Sequence, residues 1–124
     1  MEYGKHLLME VEVKDPGPLS SVANIRKFFN QIVKELSFQI IGKPFFYKFP
    51  SRIKKMQGGV TGMCVIGESH LSIHTWPESN YFSFDLFSCR NFNDKLVVAI
   101  LKKNFKVLKM NSRVVIRGMK DGFK

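Results

Sequence analysis

The sequence has only two cysteines, Cys64 and Cys89, and neither belongs to a C-x-x-C or Cys/His ligand spacing. This excludes a disulfide framework and leaves no indication of a zinc site, so we expect free thiols and no bound metal. Long apolar runs are also missing, because the longest, 96–101, is far shorter than a membrane span. Residues 1–5 contain no basic segment leading into an apolar one. We therefore expect a cytoplasmic protein without a membrane partner.

Acidic residues are few compared with basic ones, with 10 Asp and Glu against 20 Lys and Arg, which gives a net charge of +10. Such an excess suggests a polyanionic partner such as nucleic acid. However, no helix-turn-helix, zinc-finger or RNP-like pattern is present. The alternative, which we favour, is that the lysines form a solvated surface and that no nucleic acid binds.

The positive charge is unevenly distributed along the chain. Residues 56–89 contain no Lys or Arg but include Glu68, Glu78 and Asp85, whereas residues 102–124 carry a net charge of +7. The chain therefore has a basic C-terminal quarter and a neutral-to-acidic centre.

With 44% hydrophobic residues, the chain is too apolar to be disordered. The hydrophobic pattern predicts one α+β domain spanning residues 1–124. Alternating apolar positions predict strands, and apolar positions three and four apart predict two helices. The order favours a two-layer α/β sandwich, with a mostly antiparallel sheet covered on one face by both helices. The predicted strands are 6–13, 38–41, 45–49, 60–66, 71–75, 81–88 and one or two within 105–117; the predicted helices are 20–36, capped by Ser20 or Ser21, and 94–104, capped by Asn93.

The central segment 67–78 concentrates two His, two Ser, two Glu and the single Trp in 12 residues. Strand alternation places His70, Ser72 and His74 on one face. Groups that titrate near neutral pH between apolar strands are candidates for a functional site. The competing interpretation is partly buried histidines bonded to the backbone. A Ser/His/Asp hydrolase is disfavoured because the G-x-S-x-G elbow is absent, so the pattern alone indicates a site without a reaction.

Residues 68–78, with the sequence ESHLSIHTWPE, resemble the signature of the prokaryotic-type S-adenosylmethionine decarboxylase family. Further similar segments are GVTG at 59–62, DLFSC at 85–89 and GKHLL at 4–8. The resemblance covers most of the chain in the order found in the family. It implies an α+β fold, self-cleavage and a homodimer with active sites built by both subunits.

The resemblance also implies how the cofactor forms. Ser69 would attack the carbonyl of Glu68, and cleavage between them would leave a β chain, 1–68, and an α chain, 69–124. Residue 69 would become a covalently bound pyruvoyl group. Its carbonyl would form a Schiff base with S-adenosylmethionine and accept electrons during decarboxylation. The product would be used in the synthesis of spermidine and other polyamines. Because this substrate carries a sulfonium and an ammonium, the resemblance also implies a site that avoids additional positive charge.

Five more residues receive roles from the resemblance. His74 matches the base that assists processing, and Thr61 stands where many members have a serine that helps it. Cys89 matches the proton donor, and a thiol with a reference pKa of about 8.5 suits that task. Glu78 matches the residue that binds the ribose hydroxyls, and Phe49 is the candidate for stacking on the adenine.

Two departures from the family pattern leave alternatives open. The loop 51–57 is long and basic, which raises a pyruvoyl-dependent arginine or ornithine decarboxylase as the alternative function. Arg90 stands where glycine is common, and it could lower the pKa of Cys89, bind a carboxylate or point to solvent. Cys64 lies in an apolar run and is predicted to be core. A hypothesis of another class is a basic binding module that keeps the fold without the chemistry.

Overall fold

A computed structural model describes residues 3–119 and 122–124 and contains one seven-stranded antiparallel sheet with two α helices on one face. The predicted two-layer α/β sandwich is confirmed. The strand order is β2-β4-β5-β6-β1-β7, and β3 also pairs with β4. The elements are β1 (Gly4–Val13), α1 (Val22–Glu35), β2 (Gln39–Ile40), β3 (Phe45–Lys48), β4 (Val60–Gly67), β5 (Ser69–Trp76), β6 (Tyr81–Ser88), α2 (Asp94–Asn104) and β7 (Val107–Arg117).

Alternating side chains divide the sheet into a buried face and an open face. On β1, Leu7, Met9 and Val11 are buried beneath the helices, whereas Glu10 and Glu12 are exposed on the other side. Successive residues of a strand point to opposite faces of the sheet, so the alternation predicted from the sequence is observed as alternating buried and exposed side chains. The described core joins one face of the sheet to both helices.

The helix boundaries follow from their caps. The Ser21 hydroxyl accepts a hydrogen bond from Asn24 N at 3.1 Å, which fixes the start of α1. The predicted start at residue 20 is too early, because Gly17–Ser20 form a separate 3-10 turn and Ser21 has an extended backbone. Helix α2 has its predicted bounds, with the Asn93 side chain accepting from Leu96 N at 3.2 Å.

The C-terminal quarter forms α2 and one long strand, β7, instead of a pair of strands. Its described basic residues are all exposed; these are Lys102, Lys103, Lys106, Lys109, Arg113, Arg117 and Lys124. No helix in the described ranges combines the length and apolar character needed to cross a bilayer.

The open face of the sheet carries a group of exposed apolar side chains at one edge. Phe45 and Tyr47 on β3 lie with ring centroids 4.3 Å apart, and they pair along β4 with Met63 and Thr61. Met63 and Val65 are 44% and 49% exposed. We call Phe45, Tyr47, Met63 and Val65 the edge patch.

Candidate active site

The end of β5 where Ser69 lies is tied to the residue that follows β6. Ser69 is opposite Ser88 in the sheet, which brings Cys89 beside Glu68. Cys89 N donates to the Glu68 carbonyl oxygen at 3.2 Å, and Cys89 Sγ donates to Glu68 Oε2 at 3.3 Å. The same residue therefore contacts both the carbonyl and the carboxylate of Glu68.

The thiol of Cys89 is exposed, yet its pKa is raised above the ordinary value. The largest cause is its hydrogen bond to the Glu68 carboxylate, followed by desolvation and the negative charge of Glu68. A raised pKa keeps the thiol protonated at neutral pH and thus able to donate a proton. Cys64 is 1% exposed and belongs to the core, as predicted.

A second group of predicted residues lies where β5 ends. Thr61 Oγ1 and His74 Nδ1 are 3.1 Å apart across the β4–β5 pair. Both line a cavity of about 260 Å³ together with Phe49 and Glu78. Four residues that the sequence assigned to processing or substrate binding therefore surround one space.

The loop 51–57 contacts this cavity through Glu78. Ser51 Oγ donates to Glu78 Oε2 at 3.0 Å, and Arg52 Nη2 is 3.9 Å from Glu78 Oε1. The Glu78 side chain is only 6% exposed, whereas that of Arg52 is 74% exposed. No sequence pattern predicted the contact between Ser51 and Glu78, because the two residues are 27 positions apart.

The two groups are separated within one chain. Ser69 and His74 lie on the same strand, and five residues of extended chain correspond to about 17 Å. The Ser69 end holds Glu68 and Cys89, and the His74 end holds Thr61, Glu78 and Phe49. We call these the cleavage half-site and the adenosyl half-site, after the roles that the resemblance implies for their residues.

Two other polar residues of β5, His70 and Ser72, lie between the half-sites. Ser72 is 7% exposed, and the His70 ring lies 6.1 Å from that of Phe87. Leu71 and Ile73 are fully buried on the opposite face, which confirms the predicted alternation.

The expectation that the site avoids additional positive charge is wrong. Arg52 lies beside Glu78, Arg90 follows Cys89 directly, and Lys5 lines the cavity of about 500 Å³ that also includes Cys89. All three lie outside the stretch 56–89; folding brings Arg52 and Lys5 to the two groups, whereas Arg90 is the next residue after Cys89 in the chain. Lys5 is neutralised by Asp94 at 2.8 Å.

Glu68→Gln in a chain carrying Ser69→Ala is expected to lower the pKa of Cys89, because it removes the negative charge and weakens the hydrogen bond. The thiolate would then form at lower pH, and alkylation of Cys89 by iodoacetamide would begin at lower pH. Peptide mass mapping across a pH series measures the midpoint. Glu78→Gln is the matched control, and an equal midpoint in both variants would contradict the assigned contact.

The fold and the site together describe a small α+β protein. Its Ser69 and His74 lie on β5, and its Cys89 directly follows the paired strand β6. The sequence profile of the S-adenosylmethionine decarboxylase family matches residues 5–118. The chain belongs to this family.

Similar proteins come from bacteria and archaea. An S-adenosylmethionine decarboxylase proenzyme of Clostridium botulinum strain Langeland is 32% identical over 123 residues, covering 98% of this chain and all of the relative. The proenzyme of the same name from Pyrococcus horikoshii is 28% identical, covering 95% of this chain and 81% of the relative. The crystal structure of the adenosylmethionine decarboxylase from Aquifex aeolicus has a TM-score of 0.79 and 25% identity, covering 96% and 93% of the two chains.

Proposed function

We propose that the protein is a self-processing, pyruvoyl-dependent S-adenosylmethionine decarboxylase that acts in the cytoplasm and supplies polyamine synthesis, including spermidine. The observation that carries this proposal is the double contact of Cys89 with Glu68, at the start of the strand that begins with Ser69. The contact supports self-cleavage, because the backbone N–H of Cys89 bonds to the carbonyl of the peptide to be cleaved. It also supports decarboxylation, because the thiol stays protonated and can donate a proton.

Processing begins when Ser69 Oγ adds to the Glu68 carbonyl carbon. The peptide C–N bond then breaks, and an ester replaces the amide. The Cys89 N–H, 3.2 Å from the Glu68 carbonyl oxygen, polarises that carbonyl and stabilises negative charge developing on its oxygen. Removal of the Ser69 α-proton eliminates the Glu68 carboxylate and separates the two chains, and His74 is the base proposed for this step. The dehydroalanine left at position 69 tautomerises to an imine, and water hydrolyses it with release of ammonia to give the pyruvoyl carbonyl.

The residues around Ser69 fit the pyruvoyl group. Ser69 has a φ of +133°, which L residues rarely adopt, and it heads a strand beside the exposed thiol of Cys89. When formed, the group supplies the electron-accepting carbonyl that no ordinary side chain offers. The Cys89 thiol holds the proton that the substrate Cα receives after CO₂ leaves.

The adenosyl half-site supports recognition of the substrate. Phe49 is 51% exposed and lines the same cavity as Glu78, so its ring can stack on adenine and attract a sulfonium. The Glu78 carboxylate already accepts a hydroxyl hydrogen bond from Ser51. In the complex, the ribose hydroxyls of the substrate would donate to Glu78 in place of the Ser51 hydroxyl.

The separation of the half-sites supports a homodimer. A base about 17 Å from its proton cannot remove it, so His74 must act on the Ser69 of another subunit. A two-fold dimer that joins the open sheet faces would place each cleavage half-site against the partner's adenosyl half-site. The edge patch supplies exposed apolar surface on that face.

Mass spectrometry and CO₂ release test the function together. We expect the purified chain to split between Glu68 and Ser69, to carry a pyruvoyl end on the second chain and to release CO₂ from S-adenosylmethionine. Release only from arginine or ornithine would favour the alternative decarboxylase. A chain that stays intact on prolonged incubation would contradict both decarboxylase functions and favour the basic binding module.

A further inference from the structure

Arg90 is fixed by contacts that the sequence did not predict. Arg90 is exposed, but its guanidinium is held by the backbone, since Nη2 donates to the carbonyl oxygens of Leu36 at 2.9 Å and Ser37 at 3.2 Å. Within residues 3–119 and 122–124 it forms no ion pair with a carboxylate. The guanidinium carbon also lies 4.7 Å from the centroid of the Phe38 ring. Arg90 thus joins the segment after Cys89 to the end of α1.

The end of α1 has carbonyls available for this contact. Ser37 adopts a φ of +58°, and the helix closes with Phe38 N donating to Val33 O at 2.9 Å and Ser37 N to Lys34 O at 3.2 Å. This closure uses the carbonyls of Val33 and Lys34 and leaves later ones free. A positive charge at a helix C-terminus is favourable, because the carbonyls there carry partial negative charge.

The segment that carries Cys89 is held on a second side by Lys5. Lys5 Nζ donates to Phe92 O at 2.7 Å and to Asp94 Oδ1 at 2.8 Å. The Phe92 ring packs against Phe38 at 6.2 Å, so it touches the same ring that Arg90 covers. Segment 88–94 is thereby fastened to α1 by Arg90 and to β1 by Lys5.

We propose that Arg90 is a positioning residue, which holds segment 88–94 against α1 so that the Cys89 thiol stays on the Glu68 carboxylate beside Ser69. This inference rests on the proposed function, in which Cys89 is the proton donor. The backbone contributes to the same geometry, since Arg90 N donates to Ser88 Oγ at 3.0 Å. The guanidinium is engaged by α1, so its role is to fix a position and not to activate the thiol.

The competing roles of Arg90 predict different shifts of the Cys89 titration. Glu68 is the charged group in contact with the thiol, Lys5, which is paired with Asp94, lines the same cavity as Cys89, and Arg90 is the next residue in the chain. If Arg90 holds the thiol on Glu68, its removal weakens that contact, and Cys89 forms its thiolate at lower pH. If Arg90 acted through its positive charge, its removal would shift the titration to higher pH. If it only stabilised α1, the titration would not move.

The test measures alkylation of Cys89 by iodoacetamide across pH in a chain carrying Ser69→Ala, which needs neither cleavage nor decarboxylation. Arg90→Met is expected to lower the midpoint and to raise the alkylation rate at pH 7.5 by about threefold or more. Arg90→Lys should lower the midpoint by a smaller amount. If Arg90→Met does not fold, the Arg90→Lys variant is used for the test. An unchanged or raised midpoint would overturn the proposal.

Ser21→Ala is the matched control, because it weakens the same helix at its other end by removing the cap on Asn24 N. Its midpoint should equal that of the parent chain, and an equal shift in both variants would overturn the positioning role. In a Glu68→Gln chain, Arg90→Met should cause no further shift, since the contact it preserves is already weakened. If Arg90→Met lowered the midpoint of the Glu68→Gln chain by the same amount as in the parent chain, the positioning role would also be overturned.

In the processed enzyme, Arg90→Met is expected to lower kcat about tenfold or more with little change in KM, because the proton donor is displaced while the adenosyl half-site is intact. Equal loss in Ser21→Ala would overturn the positioning role. A wild-type protein that neither cleaves nor releases CO₂ would contradict the proposed function and leave the alkylation result unaffected.

Discussion

Cells that produce the Ser69→Ala and His74→Ala chains together are expected to contain cleaved protein, whereas cells that produce either chain alone are expected to contain only uncleaved precursor. The physical reason is the distance of about 17 Å between Ser69 and His74 on one strand. In a mixed dimer, the Ser69 of the His74→Ala chain faces the intact His74 of its partner. One complete processing site therefore forms.

The expected amount of cleavage follows from subunit mixing. With equal expression and random pairing, about half of the dimers are mixed and one chain in each can cleave, so about one quarter of all chains should be split. Different affinity tags on the two chains identify which one is cut by mass spectrometry. The expected cut chain is His74→Ala.

The matched control pairs His74→Ala with a chain that carries both Ser69→Ala and His74→Ala. This mixture contains no intact His74 and should not cleave. If the wild type cleaves while the first mixture stays intact, then His74 does not act on the partner and the proposed dimer arrangement is wrong.

The second large effect concerns Cys89→Ala. This variant retains the backbone N–H that donates to the Glu68 carbonyl oxygen, so it is expected to cleave. It lacks the thiol, and a lost proton donor should lower kcat by about hundredfold or more. Mass spectrometry measures cleavage, and CO₂ release from S-adenosylmethionine measures turnover.

Cys64→Ala is the control for thiol loss. Cys64 is 1% exposed in the core, so its truncation lowers the free energy of unfolding through lost packing but leaves kcat unchanged. A Cys89→Ala enzyme with the turnover of the wild type would remove Cys89 from the mechanism. Failure of Cys89→Ala to cleave would instead show that its side chain is needed before maturation.

Local patterns predicted the fold well where one signal dominated. Helix α2 was predicted with its observed bounds, because Asn93 caps it and Val97, Ile100 and Leu101 repeat with helical spacing. Strand β7 was less certain from sequence, since six of its residues are exposed, five are half-buried and the two classes do not alternate. Ser20 was a poor guide to the start of α1, because the neighbouring Ser21 makes the cap.

The candidate site was only partly predictable. The resemblance selected Ser69, His74 and Cys89, but their division into two half-sites was not anticipated. The strand rise could have revealed it, because five extended residues cannot bring Ser69 and His74 together. The contacts of Arg90 with Leu36 and Ser37 span more than 50 positions in the chain, and no local pattern reports such pairings.

The interleaved strand order has a consequence for the proposed cleavage. A cut between Glu68 and Ser69 assigns β1 to β4 to one fragment and β5 to β7 to the other, yet β1 lies between β6 and β7 in the sheet. The fragments cannot separate without breaking the shared core. Once unfolded, they must find each other in solution, so refolding of the matured protein becomes a second-order reaction whose rate depends on concentration, unlike that of its precursor.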